Sequence, residues 1–172
     1  LKSNLEHKLL AFWLNHSFDK RRGGFIGRMD HQMNIDPDSP KAAVLNSRIL
    51  WTFSTAYNYL NKEEYLDAAH RAFNYLRDFF LDVKYGGVFW QLDPEGNPLN
   101  DRKQAYALSF AIYGLGEYFL ASENAEAMLL AVDLFHDIEN HFYDQEADGY
   151  LEALGRNWEV LDDMRLSKKD VN

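Results

Sequence analysis

Charged positions are spread very unevenly along this chain. Between Ala42 and Asn61 the one charged residue is Arg48, and between Gln104 and Gly116 there is none. The stretch from Lys62 to Lys84, in contrast, carries Lys62, Glu63, Glu64, Asp67, Arg71, Arg77, Asp78, Asp82 and Lys84, with Tyr65, Ala69, Phe73, Leu76 and Phe80 on its other face. The uncharged stretches read as buried helices and the charged one as an outer, amphipathic helix.

Periodicity read together with breakers predicts five helices. They run from about Asn4 to His16 behind Ser3, Lys41 to Leu60 after Pro40, Glu63 to Leu81 behind Asn61, Arg102 to Ala121, and Asn124 to Phe142 with Ser122 as the candidate cap. The Pro/Gly/Asn-rich segments Asp36 to Pro40 and Asp93 to Pro98 read as turns. Phe25 to Asp30, Val88 to Asp93 and Tyr150 to Leu154 read as short strands with glycine at their starts.

An aromatic-flanked glycine leads into an extended run three times, at Gly23-Gly24-Phe25-Ile26, Gly86-Gly87-Val88-Phe89-Trp90 and Asp148-Gly149-Tyr150-Leu151. Gly24 and Gly87 are 63 residues apart, and Gly149 lies 62 further on. A period near 60 that encloses two helices predicts stacked helical hairpins, each with a ribbon at one end. Alternation of an uncharged helix with an amphipathic one suits a double-layered ring, whose inner helices face a central cavity; a long solenoid would alternate similarly. The expected fold class is all-α. The chain opens at Leu1 and closes at Val171-Asn172 with fewer than three complete units, so it reads as a fragment or processed product.

Composition narrows the function classes. The chain is 47% hydrophobic and 26% charged, without the ~18-residue apolar run of a membrane span. The absence of cysteine removes disulfides, thiol nucleophiles and thiolate metal sites, and fits the cytoplasmic location expected here. A net charge of −9 without a basic block disfavours a nucleic-acid partner. Aromatic residues reach 15%; surplus Trp and Tyr either fill helix-packed cores or stack on the C–H faces of sugars.

Arg48 is the first candidate for chemistry. A guanidinium does not escape the cost of burial by losing its proton, so it needs a wet cavity or a tie to a carboxylate or helix-end carbonyls. Arg48, Thr52, Thr55 and Tyr59 fall on one helical line, which is expected to face the cavity. Gln104, Tyr106, Ser109 and Tyr113 repeat the pattern on the fourth helix, where each phenol either contacts a hydroxyl-rich ligand or packs in the core. The six histidines have no metal-site spacing, and the paired carboxylates Glu63-Glu64, Asp137/Glu139 and Asp162-Asp163 lie in charged surroundings, as solvated faces do.

Asn46-Ser47-Arg48-Ile49-Leu50-Trp51-Thr52-Phe53, Tyr85-Gly86-Gly87-Val88-Phe89-Trp90 and Lys103-Gln104-Ala105-Tyr106-Ala107-Leu108-Ser109-Phe110-Ala111-Ile112-Tyr113 occur in an order and spacing that resemble the N-terminal part of the N-acylglucosamine 2-epimerase family, in its cellobiose 2-epimerase branch. The resemblance runs from about Leu9 to the end of the chain. It implies that residues 1–172 are the N-terminal half of a single (α/α)6-barrel catalytic domain about twice as long. The implied reaction needs no metal or nucleotide cofactor. It opens the reducing-end ring of a β-1,4-linked disaccharide, removes the C2 proton to give an enediolate, and returns a proton on the opposite face with two histidines as the acid/base pair. On the same grounds Arg48 would stabilise the enediolate oxygens, and Tyr106 and Asp170 would contact substrate. The family's catalytic histidines lie beyond Asn172, so the 172 residues alone are expected not to epimerise.

Three other readings stay open. One is aldose–ketose isomerisation of a monosaccharide such as mannose on the same barrel. A glycoside hydrolase would need a pair of cavity carboxylates that the inner helices lack. A non-catalytic helical repeat would use its aromatic face to bind carbohydrate or a protein. Apolar faces left open by a half-ring predict self-association or pairing with the C-terminal half.

Overall fold

The computed structural model describes residues 2–165. Five helices account for most of them. Helix α1 spans residues 2–16, as Lys2–Asn4, a wider π-type segment Leu5–Leu10, and Ala11–His16. Helix α2 is Ala43–Leu60, α3 is Glu63–Tyr75 with a π-type continuation Leu76–Phe80, α4 is Ala105–Ser122, and α5 is Ala125–His141. Helices α2 and α4 pack along each other, α3 lies behind α2, and α5 lies behind α4. The uncharged helices are therefore the inner layer, as their composition predicts.

The helix ends follow local chemistry. Asn61 and Glu123 close α2 and α4 in the left-handed conformation at equivalent places in successive units (φ 52° and 55°). The cap of α5 is Asn124, whose Oδ1 accepts from the amides of Glu126 and Ala127 at 2.9 and 3.3 Å. Ser122, the expected cap, is instead the last residue of α4 and donates to the Tyr118 carbonyl.

Short strands join the units. They are β1 (Lys41–Ala42), β2 (Gln91–Leu92), β3 (Pro98–Asn100), β4 (Lys103–Gln104), β5 (Tyr143–Asp144), β6 (Gly149–Tyr150) and β7 (Ala153–Leu154). Strand β1 pairs antiparallel with β2 in the register Lys41↔Leu92, and β4 pairs with β7 in the register Lys103↔Leu154, one repeat later. The residues just before each inner helix are thus extended rather than helical, which corrects the predicted starts at Lys41 and Arg102. Asp93 to Pro98 forms the expected turn, between β2 and β3, with the Asp93 carboxylate accepting from the Asn97 amide and side chain. Asp30 and Asn34 build the same turn in the first unit.

The glycine pairs of the first two units have a steric cause, whereas at Gly149 the positive φ passes to Asp148 (50°) and no neighbour crowds the glycine. Gly24 and Gly87 have φ of +61° and +68°, and each sits in a tight hairpin against a helix or ring from a later unit. A Cβ on Gly24 would lie 2.6 Å from the buried Tyr75 ring of α3, and one on Gly87 would lie 2.8 Å from Trp158. Arg71 of α3 grips the first hairpin by donating to the Gly24 and Asp19 carbonyls at 2.8 and 2.6 Å. Asp137 of α5 grips the second by accepting from the Gly87 amide at 2.7 Å. Gly24→Ala combines a disfavoured backbone with overpacking, so it is expected to cost roughly 2–4 kcal/mol. An unfolding midpoint in urea within error of the parent would contradict this account.

Buried ion pairs lock each hairpin to the strand after it. Lys41 donates to Asp19 at 2.9 Å and to the Gly23 carbonyl at 2.7 Å. Lys103, fully buried, donates to Asp82 at 3.0 Å, and Arg156 from the third unit adds two hydrogen bonds to the same carboxylate. Burial by itself would raise the Asp82 carboxyl, but these donors and the Lys103 charge outweigh it and hold the group well below the ordinary carboxylate range.

Candidate active site

The inner helices turn one face to the outer layer and leave the other open. Arg48, Tyr59, Tyr106, Ser109 and Tyr113 are exposed on that open face. Arg48 and Thr52 line a cleft of about 480 Å³, together with Trp13 of α1, Leu45, Ile49 and the Ile26–Met29 stretch of the first ribbon. The cleft walls are mostly apolar, and its cations are Arg48 and Arg28.

The Arg48 guanidinium makes no hydrogen bond or ion pair with another described residue; its carbon lies 6.0 Å from the centre of the Phe110 ring. Among the described residues the guanidinium is exposed at the cleft and is not tied to a carboxylate or to helix-end carbonyls. Tyr106, one turn before Phe110 on the same helix α4, meets that ring edge to face at 4.8 Å and 66°, and its hydroxyl has no partner among the described residues. Phe110 touches both candidate residues. One turn along, Trp51 and Tyr113 stack at 5.2 Å and 16°. An unpaired guanidinium above an aromatic floor can accept a developing oxyanion, while phenol and indole faces suit the C–H surfaces of a sugar.

Other predicted positions sort differently. Thr52 lines the cleft, but its hydroxyl donates to the Arg48 carbonyl, as Ser109 does to that of Ala105. Thr55 points inward with its Oγ1 buried and unpartnered among the described residues, so the polar line from Arg48 to Tyr59 is broken there. Gln104 is fully buried in β4, with neither amide atom hydrogen-bonded among the described residues, and so leaves the surface expected for it. Asp170 lies outside the described residues.

Among the described residues no histidine lines the cleft. His70 pairs with the Tyr118 hydroxyl at 2.6 Å and His141 stacks on Trp158, both on outer helices. Among the described residues no three His, Asp or Glu side chains converge as a metal site requires. No helix among them is long and apolar enough to cross a membrane.

Residue type alone does not single out Trp51 and Phe110, because aromatic residues on an uncharged helix read as core. The repeat does mark them: Phe110 stands 62 residues after Arg48, and Tyr113 stands 62 after Trp51. Equivalent positions on adjacent inner helices meet on the open face.

Residues 24–168 match the family model of N-acylglucosamine 2-epimerase (GlcNAc 2-epimerase). The cellobiose 2-epimerase of Bacteroides fragilis is 47% identical over 172 residues, which are all of this chain and 44% of that protein. The D-mannose isomerase of Marinomonas mediterranea is 28% identical, over 96% of this chain and 41% of its own length. The solved cellobiose 2-epimerase of Bacillus thermoamylovorans superposes with a TM-score of 0.92 at 36% identity, across 97% of this chain and 43% of that one. This chain thus spans less than half the length of the relatives it matches, and its all-α hairpins with short ribbons are the N-terminal portion of an (α/α)6 barrel. The chain belongs to the N-acylglucosamine 2-epimerase family.

Proposed function

We propose that residues 1–172 form the N-terminal half of a single catalytic barrel that inverts C2 of the reducing-end glucose of a β-1,4-linked disaccharide such as cellobiose. The observation that carries this reading is Arg48, a permanent cation without a protein counter-charge among the described residues, placed over the Phe110 ring and at the wall of an open cleft. After ring opening, transfer of the C2 proton to a base leaves one negative charge, delocalised over C2 and the C1 oxygen, beside the C2 hydroxyl. A guanidinium offers paired donors in a plane to that enediolate. Tyr106 and the Trp51–Tyr113 stack would hold the sugar by its hydroxyls and its C–H face. The acid/base groups belong to the other half of the barrel, and reprotonation of C2 on the opposite face completes the inversion.

The test is the full-length protein incubated with cellobiose, and separately with mannose, in D₂O. The expected product is 4-O-glucosylmannose with deuterium at C2. Ketose formation from mannose, with label at C1 and without the epimer, would move the reading to the isomerase chemistry named for one relative. Sugar binding without either product would make the cleft a recognition surface.

A further inference from the structure

We propose that Phe110 is a positioning residue that holds Arg48 and Tyr106 in one working geometry. The proposal rests on the sugar-epimerase reading above and extends it to a residue with no polar atom of its own. Arg48 and Tyr106 come from different inner helices, and neither has a polar side-chain partner among the described residues. A long arginine side chain in that state retains most of its rotamer freedom, which an oxyanion would have to quench on binding. Phe110 supplies what a carboxylate usually supplies. Its face lies 6.0 Å from the Arg48 guanidinium carbon, within cation–π range, and the same ring packs at 66° against Tyr106.

A ring is better suited to this task than an acid. A carboxylate at that distance would neutralise the charge that the enediolate needs, whereas an aromatic face orients the guanidinium and leaves its N–H donors free. The repeat puts the ring there: Phe110 occupies in the second inner helix the place that Arg48 occupies in the first, so the two side chains share one level of the open face.

The experiment compares Phe110→Leu with Phe110→Tyr in the full-length protein, with unfolding midpoints to confirm folding. Leucine keeps apolar volume without the ring, and tyrosine keeps the ring. Phe110→Leu is expected to lower kcat on the order of tenfold with little change in KM, and Phe110→Tyr to restore it. In an Arg48→Lys background the leucine change should lose most of its effect. Equal losses in both Phe110 variants, an unchanged kcat in Phe110→Leu, or full additivity with Arg48→Lys would overturn the proposal. A protein that turns over no sugar would remove the functional reading, and the contact is then judged by NMR alone. The Arg48 Nε–Hε resonance should carry an upfield ring-current shift that disappears in Phe110→Leu; no such change would end the proposal on that arm as well.

Discussion

Arg48→Met in the full-length protein is expected to lower turnover of its sugar by about 10²–10³-fold while leaving sugar affinity within a few-fold. The size follows from the role: removing a preorganised donor to a developing oxyanion acts on the transition state, where the charge exists, and not on the neutral bound sugar. Stability should barely change, because Arg48 is exposed and its guanidinium has no ion pair or hydrogen bond with another described residue. That insulation makes the variant informative. Steady-state kinetics and calorimetric titration with cellobiose read the two quantities separately. If affinity falls as far as turnover, Arg48 serves recognition, and the cleft reads as a binding surface.

Asp82→Asn is expected to destabilise the fold by about 3–5 kcal/mol, the cost of leaving a buried charge without its partner. Lys103 has no exposed surface to which it could retreat, and Asp82 is nearly as deeply buried. Arg156 is partly exposed and recovers some hydration, so Lys103 bears most of the loss. The sign of the pH dependence follows from the direction of the Asp82 shift. Its folded-state pKa lies below the unfolded value of about 3.9, so its contribution is complete above that pH and is lost as acid protonates the folded carboxylate. Urea unfolding at pH 7 should show the full difference between parent and variant, and the gap should narrow as pH falls below about 4. A gap that is constant between pH 7 and pH 3 would mean that the network contributes by shape and not by charge.

Layering and period are legible in this sequence because each rests on many residues. Charge exclusion from α2 and α4 identifies the inner helices, and the glycine pairs mark where a later helix or ring presses on each hairpin. What local periodicity misses are pairings of two-residue strands with partners about 50 residues away, as between Lys41 and Leu92, so β1 and β4 read as first turns of helices. The charged core is missed for a related reason. Asp82 and Lys84 look like the end of an amphipathic face until Lys103 and Arg156 arrive from other units. At the site, Arg48 stands out by being the one charge on its helix. Gln104 shares the spacing of an exposed polar residue and is nonetheless fully buried, since β4 is covered through its pairing with β7. Phe110 carries no sign in its own chemistry and becomes visible once the repeat is laid over itself.

The Asp82 tie also bears on how such a chain comes apart. Arrays whose units touch only nearest neighbours can fray from an edge, one unit melting while the rest persists. Here a single carboxylate anchors the second hairpin, the strand that leads into α4, and Arg156 from the ribbon after α5. Releasing the third ribbon alone strips donors from a buried anion, which raises the cost of any partly opened form relative to the fully open one. Edge fraying is thereby suppressed, and the floor under Arg48 and Tyr106 loses order only when the assembly as a whole does.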